Sequence, residues 1–290
     1  MPKDILSAIQ ANMSSFSKGQ KLIASFILNS YDKAAFMTAS RLGKTVNVSE
    51  STVVRFAAEL GYDGYPSMQK ALQEMIRSKL TSVQRIEVSN SRIAGQDILS
   101  MVLQSDVEKI RITLEETDRD SFEAAVESII KARRIYILGV RSAAAIADFI
   151  SYYFTLMFDN VFSVRTSSTS EAFEQILHIG PEDVFIGTSF PRYSRRTVKA
   201  MQYAKVQGAK VIAITDSGAS PLAQIADHTL LAKSDMASFV DSLVAPLSLV
   251  NALIVAVGRK KTEELESTFA RLEQIWDEYE VYEKPGEEEL

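Results

Sequence analysis

The chain has 290 residues, 46% of them hydrophobic, and a formal net charge of −5, which is typical of a globular protein with one large domain or two ordinary ones. It contains no cysteine and two histidines, His178 and His228. This composition excludes disulfides, thiolate metal sites and cysteine nucleophiles, and argues against a histidine-rich metal centre. No apolar run reaches the ~20 residues of a membrane helix, and MPKDILSAIQ at the N-terminus, with Asp4, is unlike a signal peptide. We expect a cytoplasmic protein with no metal, no cofactor and no membrane partner.

Charge is distributed unevenly along the chain. Residues 1–92 carry 12 Lys and Arg against 7 Asp and Glu, a net charge of +5. The remainder carries 20 against 30, a net charge of −10. A basic front on an acidic body indicates that a polyanionic partner would bind near the N-terminus.

The first 80 residues are patterned as helices, and one stretch predicts two helices joined by a short turn. In MTASRLGKTVNVSESTVVRFAAELGY, residues 37–62, the first helix covers about 39–45. Asn47 occupies the turn, where a left-handed conformation is tolerated. Ser49 is a natural N-cap for a second helix that runs to about Leu60.

The second of these helices has an apolar face and a polar one. Its apolar side chains, at spacings of three and four, are Val53, Phe56, Ala57 and Leu60. Its polar side chains near the N-terminal half are Ser49, Ser51, Thr52 and Arg55. A recognition helix presents such residues to base edges, and arginine can bind guanine with two hydrogen bonds. Lys44 on the preceding helix is placed to meet the DNA backbone, although two packed helices with a well-formed cap would show the same spacing.

From residue 133 onward, short apolar runs alternate with helical segments. The runs are RRIYILG, VFSVR, DVFIGTS, AKVIAIT and HTLLA, and the segments between them are AAAIADFISYYFTLMF, SEAFEQILHI, RRTVKAMQYAKVQ and SPLAQIA. This order predicts right-handed crossovers and a parallel five-stranded sheet with helices on both faces, a three-layer α/β domain. Helices at 97–116 and 121–131 precede the sheet, and a long helical segment at about 239–280 follows it.

The loops after the predicted strands are rich in hydroxyls and arginines. Ligands of open parallel sheets bind beyond the carboxyl ends of strands, where the strand order reverses. Hydroxyls, arginines and helix N-termini are the groups that hold a phosphate. The candidate ligand-binding residues after the first and third strands are Arg141, Ser142, Ser189, Arg192, Ser194 and Thr197. Each hydroxyl also suits an ordinary helix cap, so the pattern leaves anion binding and capping open.

Several motifs together resemble the RpiR family of bacterial transcriptional regulators: SESTVVRF, ELGYDGY, RRIYILGVRS, TSFPRYSRRT and AITD with SPLAQIAD. The resemblance covers the whole chain, because that family joins a helix-turn-helix module to a flavodoxin-like sugar isomerase (SIS) domain. It implies that Ser49, Ser51, Thr52 and Arg55 lie on the recognition segment. It also implies that a phosphosugar binds at Ser142 and Ser189, with Ser194 or Thr197 next. The function implied is regulation, by a phosphorylated sugar or related anion, of genes of carbohydrate metabolism.

Both ligand loops depart from the SIS pattern. The usual third loop is Ser-x-Ser-Gly-x-Thr, whereas here Ser189 and Phe190 are followed by Pro191, Arg192, Tyr193 and Ser194. The first loop reads Gly-Val-Arg-Ser and lacks the common Gly-x-Gly. Fewer hydroxyls and two arginines suggest a ligand with more, or differently placed, negative charge. The alternative is that the arginines pair with acidic neighbours and the pocket binds something else.

SIS domains also occur in isomerases, which need a base beside a carbonyl. The candidate bases are Glu171, Glu174, His178 and His228. Glu174 and His178 share a helix face, which is also an ordinary surface contact. The DNA-binding module favours a regulator, because a free-standing isomerase has no use for it.

A third class, a scaffold that binds no ligand, would use the long apolar helices at 141–158 and 239–258 as a subunit interface. Helix-turn-helix proteins bind half-sites as dimers, so we expect a homodimer or homotetramer on double-stranded operator DNA. The expected layout is a helix-turn-helix domain at 1–80, a linker at 81–96, a SIS domain at 97–282 and a disordered tail at 283–290.

Overall fold

The computed structural model describes residues 5–79, 83, 86, 97–235 and 240–282. It divides the chain into two units, Met1–Asp97 and Ile98–Leu290. The predicted tail lies outside the described residues, and so does the predicted linker apart from residues 83 and 86. In the ranges described, no helix combines the length and the apolar character needed to cross a membrane.

The N-terminal unit is helical, as its pattern predicts. Its helices are α1 (Ile5–Ala11), α2 (Lys18–Asn29), α3 (Tyr31–Ala34), α4 (Ala39–Thr45), α5 (Glu50–Glu59) and α6 (Tyr65–Lys79). Helix α2 begins with a capping box, in which the Ser17 side chain accepts from the N–H of Gln20 and the Gln20 side chain accepts from the N–H of Ser17. The rings of Phe16 and Phe56 lie 5.0 Å apart between their centroids, so the residue before this cap packs against α5.

The C-terminal unit contains the predicted five strands. They are β1 (Ile135–Gly139), β2 (Val161–Ser163), β3 (Val184–Thr188), β4 (Lys210–Thr215) and β5 (His228–Leu231). Its helices are α7 (Ile98–Glu116), α8 (Arg119–Ile130), α9 (Ser142–Thr155), α10 (Thr169–Gln175), α11 (Arg195–Val206), α12 (Val244–Lys260) and α13 (Thr262–Glu278). All pairings are parallel and the strand order is β2-β1-β3-β4-β5. The predicted three-layer α/β fold is thereby confirmed.

Two apolar clusters cover the two faces of the sheet. Alternate residues of β1 divide between them, with Ile135 and Ile137 in one cluster and Tyr136 and Leu138 in the other. The first cluster contains buried side chains of α8, α9 and α12, and the second contains those of α10 and α11. Because helices cover both faces, the central strands are continuous apolar runs, as is usual for parallel sheets.

The segment SPLAQIA, predicted as a helix, forms turns instead. The Ser220 hydroxyl accepts from the N–H of Ala223, and the N–H of Gln224 donates to the carbonyl of Ser220. The N–H of Asp227 then donates to the carbonyl of Val211 as the chain enters the sheet. The chain thus passes from the Ser220 turn into β5 without forming a helix.

The two helices proposed for a subunit interface belong to the core of their own unit. Most apolar side chains of α9 and α12 are buried, including Ile146, Phe154, Leu249 and Leu253. The predicted helical segment at 239–280 is two helices, α12 and α13, which Lys261 separates.

Candidate functional site

Helices α4 and α5 meet across a tight turn. Asn47 has a φ of 57°, the predicted left-handed conformation, and the N–H of Val48 donates to the carbonyl of Gly43 at 2.9 Å. A Cβ on Gly43 would stand 2.8 Å from the carbonyl oxygen of Val48. Glycine is therefore required for α4 to approach the turn this closely, and the pair has the geometry of a helix-turn-helix.

The N-terminus of α5 carries a connected group of polar side chains. The Ser49 hydroxyl accepts from the N–H of Thr52 at 3.3 Å, which confirms the predicted cap, and it lies 2.9 Å from the hydroxyl of Ser51. The Arg55 Nε donates to the carbonyl of Ser51 at 3.3 Å. Ser49, Ser51 and Arg55 are exposed, and Thr52 is half-buried. The opposite face of α5 buries Val53, Phe56 and Ala57, as predicted, while Leu60 is only half-buried.

Three further exposed residues lie on α4 and α5. Lys44 is exposed in the last turn of α4, where the sequence predicted a backbone contact. Arg41, also exposed on α4, was missed by the sequence reasoning. So was Val54, a β-branched residue 42% exposed between Ser51 and Arg55. The signal for Val54 was present, because it falls outside the spacing of the buried face.

At the other unit, the carboxyl ends of β1 and β3 form the point where the strand order reverses. The chain leaves β1 for one neighbour, β2, and then returns to β3 on the other side. The Thr188 hydroxyl, at the end of β3, donates to the carbonyl of Ala143 in the first turn of α9 at 3.1 Å. A Cβ on Gly139 would stand 2.3 Å from that carbonyl oxygen, so glycine allows the loops after β1 and β3 to pack together. This is the reversal point at which the sequence predicts the ligand to bind.

The loop after β3 is fixed by hydrogen bonds at both ends. The buried Ser189 hydroxyl accepts from the N–H of Ser194 at 3.0 Å, and Thr215 donates to the carbonyl of Ser189 at 2.8 Å. The Ser194 hydroxyl accepts from the N–H of Thr197 at 3.3 Å and caps α11. Phe190 is buried against the core, which explains how this loop holds its place without the usual small residues.

Thr197, the last of the predicted ligand residues, lies below the protein surface. It is fully buried in the first turn of α11. Its hydroxyl oxygen has no hydrogen-bond partner among the residues that the structure describes. Among the three hydroxyls of this loop and helix start, Ser189 and Thr197 are buried and Ser194 is half-buried.

The two predicted arginines share an uncommon backbone conformation. Arg141 has a φ of 61° and Arg192 a φ of 69°, both in the region that favours glycine, and both are exposed. Arg141 is the N-cap of α9, and its side chain makes no capping hydrogen bond. Ser142, the first residue of α9, is also exposed. Strained residues of this kind cluster at functional sites.

Other polar groups at this edge of the sheet serve the loops themselves. Arg196 donates to the carbonyls of Thr166 and Ser167 at 2.7 Å each, tying the loop after β2 to α11. Glu171 accepts from the N–H and hydroxyl of Ser167, and these hydrogen bonds lower the pKa of its carboxyl group. Tyr193 donates to Asp216 at 2.9 Å and joins the loop after β3 to the loop after β4. The sequence reasoning had not identified this last contact.

The candidate bases Glu171, Glu174 and His228 are not gathered between the loops after β1 and β3. Glu171 is held by its own loop, and Glu174 accepts from Ser170 at 2.9 Å. His228 lies at the start of β5, at the end of the strands opposite to the loops after β1 and β3. Its ring is 3.1 Å from the Ser128 hydroxyl. Burial lowers the pKa of His228. In the described part of the chain, no group of three His, Asp or Glu side chains is arranged to hold a metal ion.

Two family descriptions match this chain. Residues 3–79 match the helix-turn-helix domain of the rpiR family, and residues 128–256 match the SIS domain. An uncharacterized HTH-type transcriptional regulator of Caldanaerobacter subterraneus is 24% identical over 89% of this chain and 92% of its own length. HexR, an HTH-type transcriptional regulator of Pseudomonas aeruginosa, is 22% identical over 94% of this chain and 95% of its own.

Solved structures share the fold. The sugar isomerase domain of an RpiR transcription factor from Sphaerobacter thermophilus is 28% identical, with a TM-score of 0.59, over 62% of this chain and 99% of its own. The NanR protein of Vibrio vulnificus, complexed with ManNAc-6P, has the same fold over 95% of this chain and 98% of its own, with 22% identity and a TM-score of 0.59. With both domains present and the relatives named as regulators, the chain belongs to the RpiR family of helix-turn-helix transcriptional regulators that carry a SIS domain.

Proposed function

We propose that this regulator binds double-stranded operator DNA with the exposed end of α5, and that a phosphorylated sugar or related anion bound in the SIS domain controls this binding. The observation that carries the DNA contact is the pairing of a tight α4–α5 turn with an exposed polar helix end. Ser51, Thr52 and Arg55 face the base edges, and Lys44 and Ser49 contact phosphates. The Ser49 hydroxyl accepts from the N–H of Thr52 and lies 2.9 Å from the hydroxyl of Ser51 and 2.8 Å from that of Thr52, so the three hydroxyls form one hydrogen-bonded group.

The effector site is the crevice between the loops after β1 and β3. Ser142, Ser189 and Ser194 supply hydroxyls there, and the N-terminus of α9 supplies backbone N–H groups. Arg141 and Arg192 add positive charge from backbone positions that strain a non-glycine residue. The N–H of Thr197 donates to the Ser194 hydroxyl in the same loop. The V. vulnificus relative, solved with ManNAc-6P, supports a phosphosugar as the class of effector, and carbohydrate metabolism as the field of regulated genes.

Control of DNA binding requires that the effector favour one arrangement of the subunits, and so one spacing of their recognition helices, over another. A ligand shifts such an equilibrium only by its difference in affinity for the two states. The loops after β1 and β3 are linked through Thr188 and Ala143, so a ligand across them is sensitive to their separation. We further propose that the regulator works in the cytoplasm as a homodimer or homotetramer.

A paired binding experiment tests the function. Duplex DNA is selected from a random library with the purified full chain, and its affinity is then measured with and without each of a panel of sugar phosphates. The unphosphorylated sugars and inorganic phosphate are the controls. A ligand at a hundredfold excess over its Kd stabilises the folded protein by about 2.7 kcal/mol, so a thermal shift accompanies binding. Failure to select any sequence would contradict the DNA-binding proposal, and equal shifts with unphosphorylated sugars would contradict the effector class.

A further inference from the structure

Helix α5 exposes apolar side chains on the side that faces away from its own unit. Four residues lie opposite its buried side chains, at spacings that bring them onto one face of the helix: Ser51, Val54, Arg55 and Ala58. We call these four residues the outer face of α5, and all of them are exposed. Val54 is the large apolar member, with 42% of its surface exposed. A surface helix normally carries polar or charged residues opposite its buried face, so packing within the unit does not account for Val54.

Valine is an unfavourable residue at an exposed position of a helix. Its branched Cβ restricts the side chain to one main rotamer there, and its helix propensity is lower than that of alanine or of straight-chain residues. The same restriction makes Val54 a rigid contact, because little side-chain freedom is left to lose when a partner covers it. Ala58, one turn further on, adds little bulk to this face. The outer face therefore permits a partner to approach closely at Val54.

The side chains around Val54 are held by contacts within α5 or with α2. The Arg55 Nε donates to the carbonyl of Ser51 at 3.3 Å, which leaves the terminal guanidinium nitrogens, a pair that can donate to O6 and N7 of guanine. The Thr52 methyl group, a second apolar group at this helix end, lies against α2, because a Cβ on Gly19 would stand 3.4 Å from it. Val54 is therefore the branched apolar side chain that this end of α5 presents outward.

The size and surroundings of this apolar group favour DNA as its partner. One valine and one alanine offer far less apolar area than a protein interface buries. Positive charge accompanies them, from Arg55 on the same face and from the exposed Arg41 and Lys44 on α4, which meets α5 across the tight turn. A polyanion fits that charge. The major groove of DNA also presents an apolar group that apolar side chains recognise, the C5-methyl group of thymine.

We propose that Val54 contacts the C5-methyl group of a thymine in the major groove, beside the base pair that Arg55 binds. The inference rests on the proposed binding of operator DNA by α5. Val54 and Arg55 are consecutive residues of one exposed face, so a single docking of the helix brings both to base edges. Arginine then binds a guanine and valine a thymine methyl group, and each operator half-site should contain these two bases within about two steps of each other.

Replacing thymine with deoxyuridine tests the contact at a single methyl group. DNA selected by the full chain is synthesised with each thymine in turn replaced by deoxyuridine, which keeps the base pairing and removes only the C5-methyl group. Anisotropy titrations give the affinities of the wild type, of Val54→Ala and of Val206→Ala, the same substitution at an exposed valine on α11. We expect at least one replacement in each half-site to weaken wild-type binding by about three- to fivefold. The same replacement should have no effect on binding by Val54→Ala, and Val206→Ala should behave as the wild type does.

The comparison is a double-mutant cycle, which isolates the pair of groups from other effects of either change. Because Val54 is exposed and alanine is the better helix former, Val54→Ala should fold as the wild type does, and urea unfolding checks this. Equal effects of deoxyuridine on the wild type and on Val54→Ala would assign the methyl contact to another residue and overturn the inference. So would a selected DNA in which no thymine methyl group affects the affinity.

These two results would leave the proposed DNA binding intact, because the wild type still binds the selected sequence in both of them. Failure to select any sequence would contradict the proposed function and this inference together. The deoxyuridine series on the wild type needs no variant, so a loss of thymine dependence is detected even if Val54→Ala folds poorly.

Discussion

A methyl group on Gly139 would stand 2.6 Å from the Oγ1 of Thr188 and 2.3 Å from the carbonyl oxygen of Ala143. The second contact is with backbone, which cannot turn aside as a flexible side chain does. We expect Gly139→Ala to force the start of α9 away from β3 and to destabilise the C-terminal unit by about 2–3 kcal/mol. Urea unfolding measures this loss, and the thermal shift produced by the effector should fall with it.

Gly218→Ala is the control for this change. Gly218 follows β4 at the same edge of the sheet, and a Cβ there meets nothing within 4 Å. We expect a change within about 0.5 kcal/mol. Equal losses in the two variants would mean that the close approach at Gly139 is not what the site requires.

Arg55 should contribute to the sequence preference of DNA binding, whereas Lys44 should contribute to its affinity for any sequence. Arg55→Ala removes a side chain placed at base edges, so it should cost about 1–3 kcal/mol and relax the preference at one base position. Lys44→Ala should weaken binding evenly across sequences and reduce the salt dependence by about one counterion. Anisotropy titrations on single-base variants of the selected DNA, at several salt concentrations, separate the two effects. Unchanged selectivity in Arg55→Ala would move the base contact to another residue, with Val54 and Arg41 next in line.

Ser142→Ala and Ser189→Ala should differ in their effect on the free energy of unfolding, because the Ser189 hydroxyl holds the loop after β3 and the Ser142 hydroxyl does not. The Ser189 hydroxyl accepts from the N–H of Ser194, so Ser189→Ala should cost about 1–2 kcal/mol without any ligand. Ser142 is exposed at the start of α9, and Ser142→Ala should leave the unliganded protein unchanged within about 0.5 kcal/mol. Both should reduce the effector's thermal shift.

Adding Arg192→Ala to Ser189→Ala should abolish the effect of the sugar phosphate on DNA binding while the affinity for DNA stays intact. The measurement is the anisotropy titration with and without ligand. Ser267→Ala, on the exposed surface of α13, is the control. A normal response in the Ser189 and Arg192 double variant would place the pocket elsewhere.

The features that the sequence predicted best are those encoded by neighbouring residues. The left-handed Asn47, the Ser49 cap and the spacing of Val53, Phe56 and Ala57 are each decided within a turn or two of chain. The five strands follow from continuous apolar runs, since a parallel sheet covered on both faces needs no alternation.

The features that the sequence missed depend on contacts between distant residues. Arg196 donates to two carbonyls that lie 30 and 29 positions away along the chain. Lys109 is buried where it donates to Asp106 on the same helix, α7. The Ser242 hydroxyl, 136 positions along the chain, donates to the same carboxylate. Periodicity shows that a helix is amphipathic, but it does not show which face the rest of the fold will cover.

Because of His228, the free energy of unfolding should decrease as the pH is lowered. Burial lowers its pKa below the ordinary value of 6.5, so the unfolded chain binds the proton at a higher pH than the folded one. Stability should therefore fall as the pH drops through about 6.5 and level off below the lowered pKa. His228→Gln should flatten this slope between about pH 7 and pH 5 and leave the effector response intact, since the residue lies at the opposite end of the strands. Urea midpoints across this range provide the measurement, and an unchanged slope would assign the dependence to other groups.

Thr188 and Thr197 are both fully buried. Replacing each with valine should change the free energy of unfolding in opposite directions. Thr188 donates to the carbonyl of Ala143, so Thr188→Val should cost about 1–2 kcal/mol. The Thr197 hydroxyl has no partner among the described residues, so Thr197→Val should relieve its desolvation and stabilise the unliganded protein by about 1 kcal/mol. The N–H of Thr197 still donates to the Ser194 hydroxyl in that variant. Urea unfolding compares the two, and a loss at Thr197 equal to that at Thr188 would show that its hydroxyl has a partner. Because Thr197 is fully buried, we expect the variant to keep the thermal shift produced by the effector; loss of that shift would place the hydroxyl at the ligand, as the resemblance to the family implies.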